Sequence, residues 1–190
     1  MAVRLPNGAT VLIASTYGSP ISVSAISNAN PAVATAAANG LADGDFIELV
    51  SGWSKLTDRI FRVGNATANS FALKGVDTTS TVAYPPGGGA GRAAKITGWT
   101  QLQQIVGSSS EGGEQQFKTY QFLESDAEKR IPTIKSAAGL TFTVAYDPAL
   151  PGYQLAEKAN DDRLPRAVRI NLPDGSILLY NAIISIGHTP

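Results

Sequence analysis

Turn-forming Gly, Pro, Asn, Ser and Thr interrupt this chain at spacings of roughly ten residues, and the short runs between them are rich in Val, Ile, Phe, Tyr and Thr. That punctuation is the mark of a mainly β protein. DFIELVSG sets Phe46, Glu48 and Val50 against Ile47, Leu49 and Ser51, RIFRVG sets Ile60 and Arg62 against Phe61 and Val63, and NSFALKGV sets Phe71 and Leu73 against Ala72 and Lys74. Side chains alternate across a strand, so each run reads as a strand with one buried face, and their close succession predicts a three-stranded meander. Such a sheet needs a large anchor to keep water off its open face. Trp53, between the turn at Gly52 and the tight SKLTD connection, is placed to fold back over it as that anchor. The alternatives for Trp53 are an intersubunit contact or a platform that stacks on sugar rings, a role also open to Trp99.

The stretch VDTTSTVAYPPGGGAGRAA, residues 76–94, has no apolar periodicity and predicts a long exposed loop with a flexible hinge. Its GGGAG lacks the Lys and Ser or Thr of a phosphate-cradling loop. From Lys95 the alternation resumes. KITGWTQLQQIVG sets Leu102, Gln104 and Val106 against Gln101, Gln103 and Ile105, GEQQFKTYQFLES sets Phe117, Thr119, Gln121 and Leu123 against Lys118, Tyr120 and Phe122, and LTFTVAYDP sets Phe142, Val144 and Tyr146 against Thr141, Thr143 and Ala145. Several of these faces are polar without charge. LPGYQLAEKANDD has helical spacing and predicts one short helix over about 151–162. Near the end, PDG joins RAVRINL to SILLYNAIISI as a hairpin, with Pro173 fixing its dihedral and Gly175 free to take positive φ. The second of those strands is apolar on both faces and is expected to be covered on both sides.

Little in the chain suggests reactive chemistry. The single histidine, His188, is three residues from the end, and without cysteine there is no disulfide, thiol nucleophile or thiolate metal site. Asp43 and Asp45, in DGD, read as a turn into a strand, since the rest of a calcium-loop pattern does not follow. Asp161 and Asp162 beside Arg163 read as solvated or salt-bridged carboxylates. Arg163, Arg166 and Arg169 do not form a nucleic-acid stripe, because strand spacing puts Arg166 and Arg169 on opposite faces. Fifteen basic and fifteen acidic residues cancel to a net charge of +0, so no overall field draws the protein to nucleic acid or anionic lipid. Charged residues make up only 16% of the chain, against about 25% in an ordinary soluble domain, which points to extensive subunit contacts. The N-terminal residues do not read as a signal peptide, and the longest apolar run, Ile177–Ile186, is half a membrane-spanning helix. The expectation is a soluble protein made in the cytoplasm, acting through its surfaces.

Five stretches in order, ADGDFIELVSGWSKLTDRIFRV, FALKGVDTTS, GGEQQFKTYQFLE, RIPT and LPGYQLAEKA, together resemble the major tail tube protein of long-tailed (siphovirus-like) bacteriophages. Tyr146 stands where the resemblance implies an acidic residue. The resemblance implies a β-sandwich or barrel-like tail tube fold with one short flanking α-helix and long loops. Residues 1–190 would form a single domain: an N-terminal arm (about 1–30), a β-rich segment (about 31–95) with the long loop 76–94, further strands, the helix, and a C-terminal hairpin over 166–187. It also implies a structural virion protein and not an enzyme, with no catalytic residue, cofactor or metal. Copies would close into hexameric rings whose inner strands join edge to edge, and stacked rings would form the tail tube that delivers DNA. The implied partners are other copies of the chain, the tape-measure protein and genomic DNA in the lumen without sequence-specific binding, and the tail terminator and baseplate or tail-tip proteins, with no membrane. The protein would reside in the virion tail after assembly in the bacterial cytoplasm. The loop 76–94 and both termini are expected to reach neighbouring rings, and the strands bearing Thr100, Gln104, Gln116 and Thr119 to include the lumen wall. The competing readings are a virion decoration or carbohydrate-binding β-sandwich module using Trp53 or Trp99, and an enzyme with carboxylates converging from distant strands.

Overall fold

A computed structural model describes residues 8–187. The chain is mainly β, with 47% strand and 7% helix, in antiparallel sheets that do not close into a barrel. In chain order the strands are β1 (Thr10–Tyr17), β2 (Ile21–Val23), β3 (Ala25–Ile26), β4 (Val33–Thr35), β5 (Phe46–Ser51), β6 (Arg59–Gly64), β7 (Ser70–Leu73), β8 (Gly91–Leu102), β9 (Ile105–Gly112), β10 (Gln115–Tyr120), β11 (Lys129–Lys135) and β12 (Ala138–Val144). Helix α1 (Pro151–Asp162) follows, then β13 (Arg166–Asn171) and β14 (Ile177–Ala182). Two compact units result: a body formed by the chain up to residue 102 and from residue 148, and a second unit of residues 103–147.

The body is one bent sheet in the order β14-β13-β1-β8-β5-β6-β7-β4-β3, with β2 also pairing β8. Its pivot is β8, which is long enough to serve several neighbours. Residues 96–102 pair with β1, while residues 91–95 pair with β5 on the other edge and residues 91–93 with β2. Register shifts at Ala14–Thr16 and Thr16–Tyr17 bend β1 along it. At that bend a Cβ on Gly98 would lie 2.4 Å from Thr16 Oγ1 and 2.6 Å from Ser15 Oγ, so a larger residue there would force those hydroxyls to shift. β1 arises from the apolar alternation of VLIA and lies inside the sheet, within the stretch expected to be an arm.

Two apolar clusters hold the body. The larger gathers Ile47, Leu49, Phe61, Val63, Phe71 and Leu73 of the predicted meander around Trp53, which is 3% exposed. The smaller sits in the curl of the sheet, where Ala14, Phe46, Ile60, Ile96 and Ala167 meet. Val11, Ile13, Val168 and Ile170 point to the opposite face, on which α1 lays Tyr153, Ala156 and Ala159. Gly152 makes that contact close, since a Cβ there would meet the Gln101 carbonyl at 2.2 Å. The helix ends at Arg163, whose φ of 53° is left-handed and whose N–H donates to the Ala159 carbonyl.

The stretch 76–94 corrects the expectation of a flexible hinge. Trp53 Nε1 donates to the Pro85 carbonyl at 2.8 Å, and the indole packs edge to face on Tyr84 with ring centres 5.2 Å apart. Asn28 Nδ2 donates to the carbonyls of Thr78 and Tyr84 at 2.9 and 2.8 Å, and the Ser51 hydroxyl donates to the Gly89 carbonyl. A Cβ on Gly88 or Gly89 would stand 2.9 or 3.1 Å from the Trp53 ring. The glycine run is therefore a seat for an indole, and from Gly91 the chain is already β8. β14 departs from expectation in the other direction. It forms the predicted hairpin with β13, with Gly175 at φ 82°, yet Leu178 and Tyr180 remain exposed.

Candidate functional site

The residues that could carry chemistry are engaged in local structure. Asp43 Oδ1 accepts the Ala66 N–H at 2.7 Å, and Asp45 accepts the Ala42 N–H while pairing with Lys95 Nζ at 2.7 Å, so DGD is the predicted turn. Asp162 accepts the Leu164 N–H and pairs with Arg166. The Leu164 N–H, followed by the Arg166 guanidinium, holds its carboxyl below the usual range. His188 lies outside the described residues. Among the described residues no three metal-ligating side chains gather.

Arg166 and Arg169 do point to opposite faces of β13, and Arg169 is an internal strut. Its guanidinium carbon lies 5.0 Å from the ring centre of Phe46 and 4.7 Å from that of Trp99, two rings that meet edge to face at 5.8 Å. Burial lowers its pKa from the ordinary value. Trp99 is thus covered by a cation of its own chain, and the Trp53 indole is buried and hydrogen-bonded. Trp53 therefore offers no free ring face for a sugar, and one face of Trp99 is taken by Arg169.

Residues 103–147 differ from the body in kind. β9 pairs with β12 and β10 with β11, each as a two-stranded antiparallel ribbon. The two ribbons meet at Gly112 and Gly113, both at positive φ, where a Cβ on Gly112 would lie 1.9 Å from the Ala137 carbonyl. Across this joint the Ser136 N–H donates to the Glu114 carbonyl at 2.9 Å, and the Ser136 hydroxyl accepts the Glu114 N–H at 3.0 Å. No residue of 103–147 is buried. Val106 and Ile134 are 72% and 74% exposed, and Leu123 is fully so.

The ribbon is nevertheless patterned. Directly opposed residues share a face, so Leu140 with Ser110, Phe142 with Ser108, and Val144 make one side of the β9–β12 part. Thr141 with Ser109, Thr143 with Gly107, and Gly139 with Glu111 make the other. That second face is polar and carries no cation. Lysine and arginine are confined to the distal part, where Arg130 stacks on Phe117 at 4.7 Å and Lys129 on Phe122 at 5.8 Å. A two-stranded ribbon is marginal in water by itself. Each Leu, Ile, Val or Phe left outside forgoes the roughly 1.5–3 kcal/mol that full burial supplies. The arrangement is apolar surface without a core.

The strands expected to include the lumen wall are β8, bearing Thr100, and β10, bearing Gln116 and Thr119, with Gln104 between β8 and β9. Thr100 pairs with Ile13 in the body, Gln104 links β8 to β9 at φ 58°, and Gln116 and Thr119 are three residues apart on β10, hence on opposite faces.

The sequence profile of the phage tail tube protein family matches residues 51–190, which spans the Trp53 seat, the ribbon, α1 and the β13–β14 hairpin. The chain belongs to that family. No curated protein matches it. Tail tube proteins are structural and not enzymes, and membership implies self-association during tail assembly and a place in the virion tail. The functional site of a tail tube protein is therefore a surface its copies offer one another. No helix among the described residues is long and apolar enough to cross a membrane.

Sequence reading found the Trp53 anchor and the helix but missed β9, β11 and the ribbon joint. A usable clue was the pair Gly112–Gly113 facing Ser136–Ala137 between alternating runs, the composition of a kinked double strand.

Proposed function

We propose that this tail tube protein closes into hexameric rings that stack into the tube of a long-tailed phage, through which DNA is delivered to the host. The observation that carries this reading is the ribbon of residues 103–147, in which no side chain is buried although both of its parts are rich in large apolar residues. An element of that kind is stable only when other copies cover it. The two units would act together as one tail tube domain.

The face of Ser109, Glu111, Thr141 and Thr143 supplies a wall suited to DNA. Polyanions bind by releasing counterions to lysine and arginine, and a neutral or acidic face gives them no such hold. This face is proposed for the lumen alongside the strands bearing Thr100, Gln104, Gln116 and Thr119. The tape-measure protein would occupy the same channel before DNA, and the terminator and tail-tip proteins would cap the ends of the stack. Negative-stain electron microscopy of the purified chain tests the reading: rings or tubes are expected, and a monomer at every concentration would overturn it.

A further inference from the structure

The sheet of the body comes round on itself. Its order runs β14-β13-β1-β8-β5-β6, and β14 then lies against β6 of the same chain. No backbone ladder joins these two strands. β6 forks instead: residues 59–62 pair with β5 on one side, and the ladder to β7 begins only at Val63 and Gly64. The strands from β14 to β6 therefore form a curl with one unzipped seam, and the smaller apolar cluster lies inside it.

One side chain carries the polar contact across that seam. Side chains alternate along β14, so Ile177, Leu179 and Asn181 share the face that packs on the smaller cluster. Asn181 Nδ2 donates to Glu48 Oε1 at 3.0 Å and to the Asp58 carbonyl at 3.1 Å, reaching both β5 and the turn before β6. The other end of the same amide is unsatisfied, since Asn181 Oδ1 is buried with no hydrogen-bond partner among the described residues. A hydrogen bond to a carboxylate is among the stronger kinds, whereas a buried acceptor without a donor costs a comparable amount, so the two nearly offset. Ile177 and Leu179 are only partly buried, and their packing adds less than a full core contact would. The seam is thus closed by a small margin. The joints beside it are of another kind, because β13 is held to β1 and to β14 by unbroken ladders.

We propose that Asn181 is a clasp, and that the β6–β14 seam opens and closes while the rest of the body stays folded. In the closed form Asn181 holds β14 to Glu48 and Asp58. In the open form β14 parts from β6 with its ladder to β13 intact, Asn181 Oδ1 gains water, and Ile60 and Phe46 become reachable from solvent. The device belongs to the single subunit and does not depend on the ring-and-tube reading.

The native chain has no cysteine, so one engineered thiol reports only its own site. Ile60→Cys places it inside the curl, and Val63→Cys places it on the other face of β6, in the larger cluster. Each is labelled with a maleimide in the folded protein. Asn181→Ala is expected to speed labelling of Ile60→Cys by roughly tenfold or more and to leave Val63→Cys unchanged. Asn181→Asp, which keeps the shape but sets a carboxylate against Glu48, should do the same. Equal rates at Ile60→Cys with and without the clasp overturn the proposal. Equal acceleration at both thiols marks general loosening and overturns it too. A second measurement keeps Asn181 in place and follows labelling in low urea. Opening the seam exposes less surface than unfolding, so the rate at Ile60→Cys should climb less steeply with urea than the rate at Val63→Cys. The same steep climb at both positions would show that Ile60 is reached only by global unfolding, and the clasp would be refuted.

Discussion

Trp53 Nε1 and the Pro85 carbonyl are joined by a 2.8 Å hydrogen bond that ties the β5–β6 connection to the glycine run before β8. The indole is at once the plug of the larger apolar cluster and the clamp on a loop that has no periodicity of its own. Trp53→Ala should lower stability by about 3–5 kcal/mol, as for other large aromatic truncations. Trp53→Phe should lose less, about 1–3 kcal/mol from the unpaired carbonyl on top of a smaller void. Urea denaturation compares the two, and limited proteolysis should cut within 80–90 only in the alanine variant.

Arg169 lies between Phe46 and Trp99, and the planar guanidinium matters as much as its charge. Arg169→Lys keeps the charge but loses the flat stacking surface, so a loss of about 1–2 kcal/mol is expected. Thermal unfolding measures it, and a lysine variant as stable as the parent would show that the stack contributes nothing.

Two groups give the protein opposite pH limits. Tyr17, partly buried with its hydroxyl accepting the Ala167 N–H, has its pKa raised above 10.0, chiefly by burial. Its neutral form is favoured in the fold, so this contribution is complete below pH 10.0 and fades as pH rises through the folded value. Asp162 is shifted the other way, below 3.8, so its contribution is present above that value and fades as pH falls through the lower folded one. Urea midpoints taken across pH should fall at both ends. Tyr17→Phe should remove the alkaline fall, and Asp162→Asn should shrink the acid one.

Gly112 stands at the joint of the ribbon with no room for a Cβ beside Ala137. Gly112→Ala should distort residues 103–147 and prevent assembly while leaving the body folded. Circular dichroism should show the body melting as before, and electron microscopy should show no tubes.

How far the sequence revealed this structure depends on where each residue finds its partners. The β5–β6–β7 meander, the PDG hairpin and α1 were legible because each buries one face against the body, which stamps a period of two or 3.6 on its residues. β9 was not legible because its run of glycines and serines carries no apolar alternation, unlike β10 and β12 of the same unit. The glycine run was misread as a hinge because its partner, Trp53, is more than thirty positions away. For the strands bearing Thr100, Gln104, Gln116 and Thr119, polar character alone gave no inward direction, and Gln116 and Thr119 take opposite sides of one strand. β14 was expected to be covered on both sides because both its faces are apolar, yet Leu178 and Tyr180 are exposed.

The central claim is that the uncovered ribbon becomes part of a shared structure, and amide hydrogen exchange followed by mass spectrometry tests it directly. In dispersed subunits, residues 105–112 and 138–144 should exchange quickly, as expected of a thin ribbon open to water. In assembled particles the same amides should be protected as strongly as those of β1 and β8. Equal, rapid exchange of these segments in both states would contradict the account.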